Sequence, residues 1–413
     1  MNPTASEPRT VSLGAEKLEQ ARSLLATHGL DAWLTVVRES ADRPDPALRF
    51  FLDSDFTWTT FFFVTPRRAV ALVATFDAPD LERSGLFDEV RTYREGPKAA
   101  LLEILGTLNP STIGINVSRD DALADGLTAG LRDYLTETLA GTPFGDRVVS
   151  AGKYVARLRA VKLPEEQERI RRAVQRTETM FDRVRDSLRL GMTQREVADV
   201  FHRLAAEAGV RTAWPKRHCP TVTIGAHSAI GHVAPGDERI TAGCLVHADF
   251  GIVLDGYCSD LQRLWYVAGP GGKGPPDAVL RAYASLVESI DLAAKALRPG
   301  ALGWEVDAVA RGHLAAAGFP DYAHALGHHL GRAVHDGGGV LGPRWERYGS
   351  EPFEPVLAGN VYTLEPSIHL PEHGLVSLEE DVVVGEAGTA FLSRFPRTLP
   401  ILNVSCPCPR SGS

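Results

Sequence analysis

Sulfur is scarce in this chain, with 3 methionines and 5 cysteines among 413 residues. The cysteines (Cys219, Cys244, Cys258, Cys406 and Cys408) are odd in number and show no disulfide framework. Cys406 and Cys408 form a C-x-C in a Pro/Ser-rich segment that reads as a frayed tail rather than a metal clip. Long apolar runs are also missing. The best candidate, FFFVTPRRAVALVATF, is broken by Pro66-Arg67-Arg68 before reaching the ~18–20 residues a membrane helix needs. The N-terminal stretch MNPTASEPRTVSLGAEKLEQ has no apolar segment of the kind a secretory signal requires. Positive charge is in deficit, 44 Lys and Arg against 52 Asp and Glu, for a net charge of −8. That balance argues against a nucleic-acid backbone or an anionic membrane as the main partner. These absences predict a cytoplasmic protein with neither membrane nor nucleic acid as partner.

What is present is a globular composition, 44% hydrophobic and 23% charged, in a chain too long for one ordinary core. An amphipathic helix is predicted from Ala15 to Leu30, ending at Gly29. Strand-like runs follow at 32–37, 59–65, 69–75 and 112–117, with helical segments between them, as in a smaller α/β domain. The hinge is expected within Arg147 to Lys162. From Pro164, favourable at the first position of a helix, a long charged helix runs to Leu188. A second helix opens on the capping-box pattern Thr193-Gln-Arg-Glu196 and stops near Gly209.

A repeat then emerges. LRLGMTQREVADVFHRLAAEAGV from Leu188 matches LRPGALGWEVDAVARGHLAAAGF from Leu297, at an offset of 109 residues. The preceding long helix recurs over Pro276 to Leu297, and carboxylate-bearing strand pairs follow in both halves. Residues 160–390 therefore read as two related helix–helix–strand–strand halves, and the seam between such halves is a natural place for a pocket.

The stretch CLVHADFGIVLDGYCSDLQRLWYVAG, Cys244 to Gly269, reads as two buried strands joined by a tight Asp255-Gly256 turn. Such a turn sets Leu254 opposite Tyr257, Ile252 opposite Ser259 and Gly251 opposite Asp260. Asp249 then shares a face with Asp260, diagonally and about 7–8 Å away at Cα. Buried carboxylates this close repel unless a cation resolves them. VYTLEPSIHL adds Glu365, LVSLEEDVVVGE sets Glu379, Glu380 and Asp381 at the head of another strand, and ALGHHLGRAVHD supplies His328, His329 and His335 among glycines. One histidine with several carboxylates is a hard, oxygen-rich set suited to Mn, Co, Fe or Zn as divalent ions. So much negative charge points to two ions, about 3.5–4 Å apart and sharing a hydroxide.

The order of these motifs resembles the pita-bread metallopeptidase family, which holds methionine aminopeptidase, aminopeptidase P, prolidase and the metal-free creatinase. The resemblance spans roughly residues 155 to 390, with a looser likeness of the N-terminal part to the extra domain of creatinase, prolidase and aminopeptidase P. It implies an α+β fold: a pita-bread catalytic domain at 156–395 built from two αα-ββ halves, a smaller N-terminal α/β domain at 1–155, and a tail at 396–413. It implies as metal ligands Asp249 in DFG, Asp260 in YCSD, His328 in the GHxxG position, Glu365 in LEP and Glu380 in EED. Asp260 and Glu380 would bridge two ions, with manganese the first candidate and Co, Zn or Fe the alternatives. It selects His328 over His329, which stands where the family usually has Gly. Glu365 would shuttle a proton, His232 in IGHVAP would face the scissile peptide, and His335 in AVHD would contact the substrate carbonyl. It further implies a homodimer.

Two positions depart from the family. Proline-specific members carry an Arg two residues before the last metal glutamate, and on this alignment that position is Leu378. Asp336 stands where the family has Glu after the second His. Arg332 or Arg344 is the candidate substitute for the missing cation. The expected activity is hydrolysis of peptide bonds by a metal-bridged hydroxide, at Xaa-Pro bonds at the N-terminus of dipeptides or short peptides. The alternative is a metal-dependent hydrolase or lyase that uses the same scaffold on a non-peptide small molecule. A non-enzymatic binding module is disfavoured, because all five ligand positions are filled.

Overall fold

A computed structural model describes residues 12–228, 231, 233–268 and 272–404. His232, Cys406 and Cys408 lie outside the described residues. The chain divides into two compact units, Met1–Arg159 and Ala160–Ser413.

The first unit is a six-stranded mixed sheet. Its strand order is Glu89–Tyr93, Ala69–Ala74, Thr60–Val64, Ala32–Val37, Ile113–Ile115 and Val148–Ser150. The three central apolar strands fall where the sequence predicts them and are antiparallel neighbours. The two edge strands were not predicted, and their sequences explain it. Glu89–Tyr93 is EVRTY, half-buried and without apolar alternation, while Val148–Ser150 spans only three residues. The N-terminal helix is Leu13–Leu24, followed by a 3-10 turn at Ala26–His28 and by Gly29 at φ 65°.

The second unit carries the repeat. Its long helices are Pro164–Ser187 and Asp277–Ala296, and its shorter ones, Gln194–Glu207 and Gly303–Ala316, start and end 109 residues apart. The predicted capping box forms: the Glu196 backbone N–H donates to Thr193 Oγ1 at 3.1 Å, and the Thr193 N–H donates to the Glu196 carboxylate at 2.7 Å. Its counterpart retains the second bond, Leu302 N–H to Glu305 at 2.9 Å. Both short helices end before a left-handed glycine, Gly209 and Gly318. The halves match because the same cap and stop signals recur at the same spacing.

Apolar residues of Asp277–Ala296 at helical spacing, Val279, Ala282, Tyr283, Leu286, Ile290 and Ala293, are all buried. They form one core with strand residues Leu245, Leu264, Tyr266, Leu364, Val376 and Val382. The main sheet has the order Ile401–Leu402, Leu261–Val267, Leu245–Phe250 and Thr221–Ile224. Ile401–Leu402 pairs in parallel with Tyr266 and Val267, so part of the segment expected as a tail is an edge strand. A second sheet is ordered Val361–Leu364, Glu380–Val384 and Thr389–Phe391, and an antiparallel bridge from Gln262 to Glu379 links it to the first.

Candidate metal centre

The Asp255-Gly256 turn has positive φ at both residues, 50° and 79°, and sets Leu254 opposite Tyr257 as the sequence predicts. The two long strands expected around it are each broken in two. Leu245–Phe250 stops before Ile252–Leu254, and Tyr257–Cys258 stops before Leu261–Val267. At Gly251 the two chains lie so close that a Cβ would collide with the Ser259 carbonyl oxygen, so glycine is required there. Beyond the break the register resumes with Asp249 opposite Gln262 and Phe250 opposite Leu261. Asp260 falls in the gap. Its backbone N–H leaves the ladder and donates instead to Asp381 Oδ2 at 3.1 Å.

Glu365 is delivered by another strand break. Val361–Leu364 pairs with the Glu380–Val384 strand, and Pro366 then prevents continuation of the ladder. The Glu365 N–H instead meets the Leu326 carbonyl at 2.7 Å. His328 lies on the short strand Gly327–His328, and a Cβ on Gly327 would collide with the Thr363 carbonyl oxygen. His328 Nδ1 faces the His329 carbonyl at 3.1 Å and must donate to it, which leaves Nε2 as the free lone pair. That nitrogen lies 3.6 Å from Asp260 Oδ2 and 3.5 Å from Glu365 Oε1.

These breaks bring one cluster together. Ligand atoms of Asp260, His328 and Glu379 lie within 4.8 Å of one another. Glu365 joins through His328, and Asp249 lies near enough for its charge to act on Asp260. Of the adjacent pair, His328 reaches the cluster, while the His329 ring packs on Tyr362 with centroids 4.0 Å apart. The exposed His335 ring stands edge-on to His328 at 4.3 Å.

Glu380 is a correction. Its carboxylate makes a two-pronged ion pair with Arg263, at 2.9 and 3.3 Å, and accepts a hydrogen bond from Ser393. Successive residues at a strand head point to opposite faces, so Glu379 is the one that turns toward Asp260 and His328. The family's Arg position, two residues before that glutamate, is therefore Ser377 rather than Leu378. Ser377 donates its hydroxyl to Gln262 Oε1 at 2.6 Å. Arg332 lies over the Tyr257 ring and Arg344 over Trp304. Sequence reasoning also passed over Gln262 and the supporting role of Asp381. Only the EED run at the strand head signalled that one of several carboxylates could serve.

Burial pushes the Asp249 carboxyl up to about 7. Burial and neighbouring carboxylates push Asp260, Glu365 and Glu379 well above the ordinary range. Burial also drives His328 down to about 3, so it is neutral and able to bind a cation. Asp249 Oδ1, Asp260 Oδ1 and Glu379 Oε1 are buried and have no hydrogen-bond partner. Orphaned carboxylate oxygens around a neutral imidazole cost several kcal/mol unless something cationic meets them. The donor set, oxygen-rich with one nitrogen, fits hard or borderline divalent metals. The Glu365 side chain is 21% exposed, so the cluster opens to solvent on that side.

Comparison with known proteins agrees with this chemistry. The model of metallopeptidase family M24 matches residues 168–386. The peptidase YqhT of Bacillus subtilis is 32% identical over 256 residues, covering 62% of this chain and 68% of the relative. Among solved structures, a Bacillus anthracis Xaa-Pro dipeptidase superposes with a TM-score of 0.74 at 22% identity, over 94% of this chain and all of that one. The dipeptidase PepE of Mycobacterium ulcerans gives 0.72 at 25% identity, over 95% and 98%. The fold is thus the α+β pita-bread arrangement that the motif order implied, and the chain belongs to metallopeptidase family M24.

Proposed function

We propose that this metallopeptidase cleaves Xaa-Pro bonds at the N-terminus of dipeptides or short peptides. The observation that carries the reading is the convergence of buried carboxylates with orphaned oxygens on the neutral His328 imidazole, open to solvent beside Glu365. The proposed ligands are Asp249, Asp260, His328, Glu365 and Glu379, holding two divalent ions, manganese first among them. Two dications match the charge of four ionised carboxylates with no protein cation in the set. When bound, the metal supplies a Lewis acid that polarises the scissile carbonyl and lowers the pKa of water.

The chain's own residues do the rest. Glu365, with one carboxylate oxygen near Gln262 and the other near His328, is set to take a proton from the attacking water and return it to the leaving amine. His335, exposed and edge-on to His328, offers a ring N–H to the substrate carbonyl as charge develops there. His232 is assigned to the scissile peptide on the resemblance. Asp381 fixes the Asp260 backbone and so the aim of its carboxylate. A homodimer in the cytoplasm is the proposed working form. Among the described residues no helix is long and apolar enough to cross a membrane.

The test is a substrate panel with purified protein and Mn²⁺ or Co²⁺: Xaa-Pro dipeptides, longer peptides led by Xaa-Pro, and non-peptide amides. Mass spectrometry should detect free proline or peptides that begin with proline, and failure to release either sinks the reading. The non-peptide alternative draws on one observation, the uncharged Ser377, bonded to Gln262, at the position where proline-specific members carry an arginine. Turnover confined to the amides would establish it.

A further inference from the structure

Gln262 occupies an unusual place for a neutral side chain. It lies on the Leu261–Val267 strand directly opposite Asp249 and bridges to Glu379 on the second sheet. Its amide nitrogen donates to Glu379 Oε2 at 3.0 Å and to Glu365 Oε2 at 3.4 Å. The NH₂ group is thus the end that faces them, as metal-binding carboxylates require, since in the ionised form they only accept. The other end is held as firmly. Gln262 Oε1 accepts from the Ser377 hydroxyl at 2.6 Å and faces His247 Nε2 at 2.9 Å, which must donate to it. Gln262, Ser377 and His247 are all buried.

The consequence concerns which oxygens remain available. Gln262 engages one oxygen of Glu379 and leaves its Oε1 without a partner. It engages one oxygen of Glu365 and leaves the other beside His328. An amide does this without cancelling the negative charge of either carboxylate, whereas an arginine or lysine there would compete with a bound cation.

Resting on the metal-centre reading above, we propose that Gln262, locked by Ser377 and His247, is a positioning residue. It turns Glu365 and Glu379 so that one oxygen of each faces the metal while their full charge is kept. Gln262→Met preserves length and removes the donor. Ser377→Ala loosens the lock, and Ser377→Thr keeps the hydroxyl. The readouts are Mn²⁺ affinity by calorimetry and the visible absorption spectrum of the Co²⁺-loaded protein, with kcat and KM measured separately. Gln262→Met should weaken Mn²⁺ binding about 10–100-fold and alter the Co²⁺ bands. Ser377→Ala should shift both in the same direction, and Ser377→Thr should restore them. The kcat should fall more than KM rises, because Gln262 is buried and acts through the carboxylates it holds.

Wild-type affinity and an unchanged Co²⁺ spectrum in a folded Gln262→Met would overturn the proposal. Should that variant not fold, identical Co²⁺ spectra for Ser377→Ala and wild type would do the same. A wild-type protein that binds neither ion would refute the metal-centre reading itself, a distinguishable outcome.

Discussion

The exchange of Glu380 for Glu379 can be tested by comparing two isosteric substitutions one residue apart. Glu380 is fully buried and paired through both oxygens with Arg263, whose side chain is 11% exposed. In Glu380→Gln the guanidinium loses its main counter-charge while remaining buried, a class of change that costs about 3–5 kcal/mol. Glu178, 3.6 Å from the same guanidinium, retains part of the compensation and favours the lower figure, about 3 kcal/mol. At roughly 2–4 °C per kcal/mol for a domain of this size, the melting temperature of the metal-free protein should fall by about 6–12 °C. Mn²⁺ affinity should stay close to wild type. Glu379→Gln should behave in the opposite way. Its carboxylate is crowded by Glu365, Asp249 and Asp381, so neutralising it relieves repulsion and leaves the metal-free melting temperature unchanged or higher. Mn²⁺ affinity, by contrast, should drop by at least the roughly 10–100-fold expected for losing an outer support. Melting in a chelator and calorimetry with Mn²⁺ separate the two effects. Loss of metal from Glu380→Gln with retention in Glu379→Gln would refute the reassignment.

Four further outcomes follow from the same geometry. Gly327→Ala drives a Cβ against the Thr363 carbonyl and displaces His328, so calorimetry should register weaker Mn²⁺ binding together with a lower melting temperature. Lys162→Met strands Asp336 from an ion pair of 3.2 Å whose side chains are 1% and 2% exposed, and denaturant unfolding should show a loss of about 3–5 kcal/mol. His335→Ala should lower kcat by about 10²-fold while Mn²⁺ affinity holds, and a wild-type kcat would remove His335 from the chemistry. Asp249, raised to about 7, keeps its proton in the folded metal-free protein until the pH approaches that value, whereas the unfolded chain releases it near pH ~4. Its contribution to stability is therefore full below pH ~4 and is lost as pH rises through about 7. Saturating Mn²⁺ should abolish that slope in a melting series, since the ion favours the ionised carboxylate.

Much of this site could be read from the chain because its determinants are local. A two-residue turn with the Asp-Gly pair fixes register, and register with two-residue alternation puts Asp249 and Asp260 on one side. The repeated cap, helix and stop signals specify two related halves at a fixed spacing, and Gly327 and Pro366 mark where the backbone must approach closely or leave a ladder. The edge strands Glu89–Tyr93 and Ile401–Leu402 lacked such signals, since an edge strand half in solvent needs no apolar alternation.

The choice between Glu379 and Glu380 was not local. Alternation says that two neighbouring carboxylates face opposite ways, but not which of them faces the cluster. Arg263 decides that from a strand more than a hundred residues earlier, by claiming Glu380 on one side while the Gln262–Glu379 bridge holds the other. The same is true of Gln262 and Asp381, ordinary polar residues in sequence that acquire their roles only when separate strands meet. Sequence alone determined which residue types are carried on strands and at which turns. The tertiary structure decided which carboxylates meet a cation and which meet an arginine, because the charge environment of a buried group is set by its neighbours across the sheet rather than along the chain.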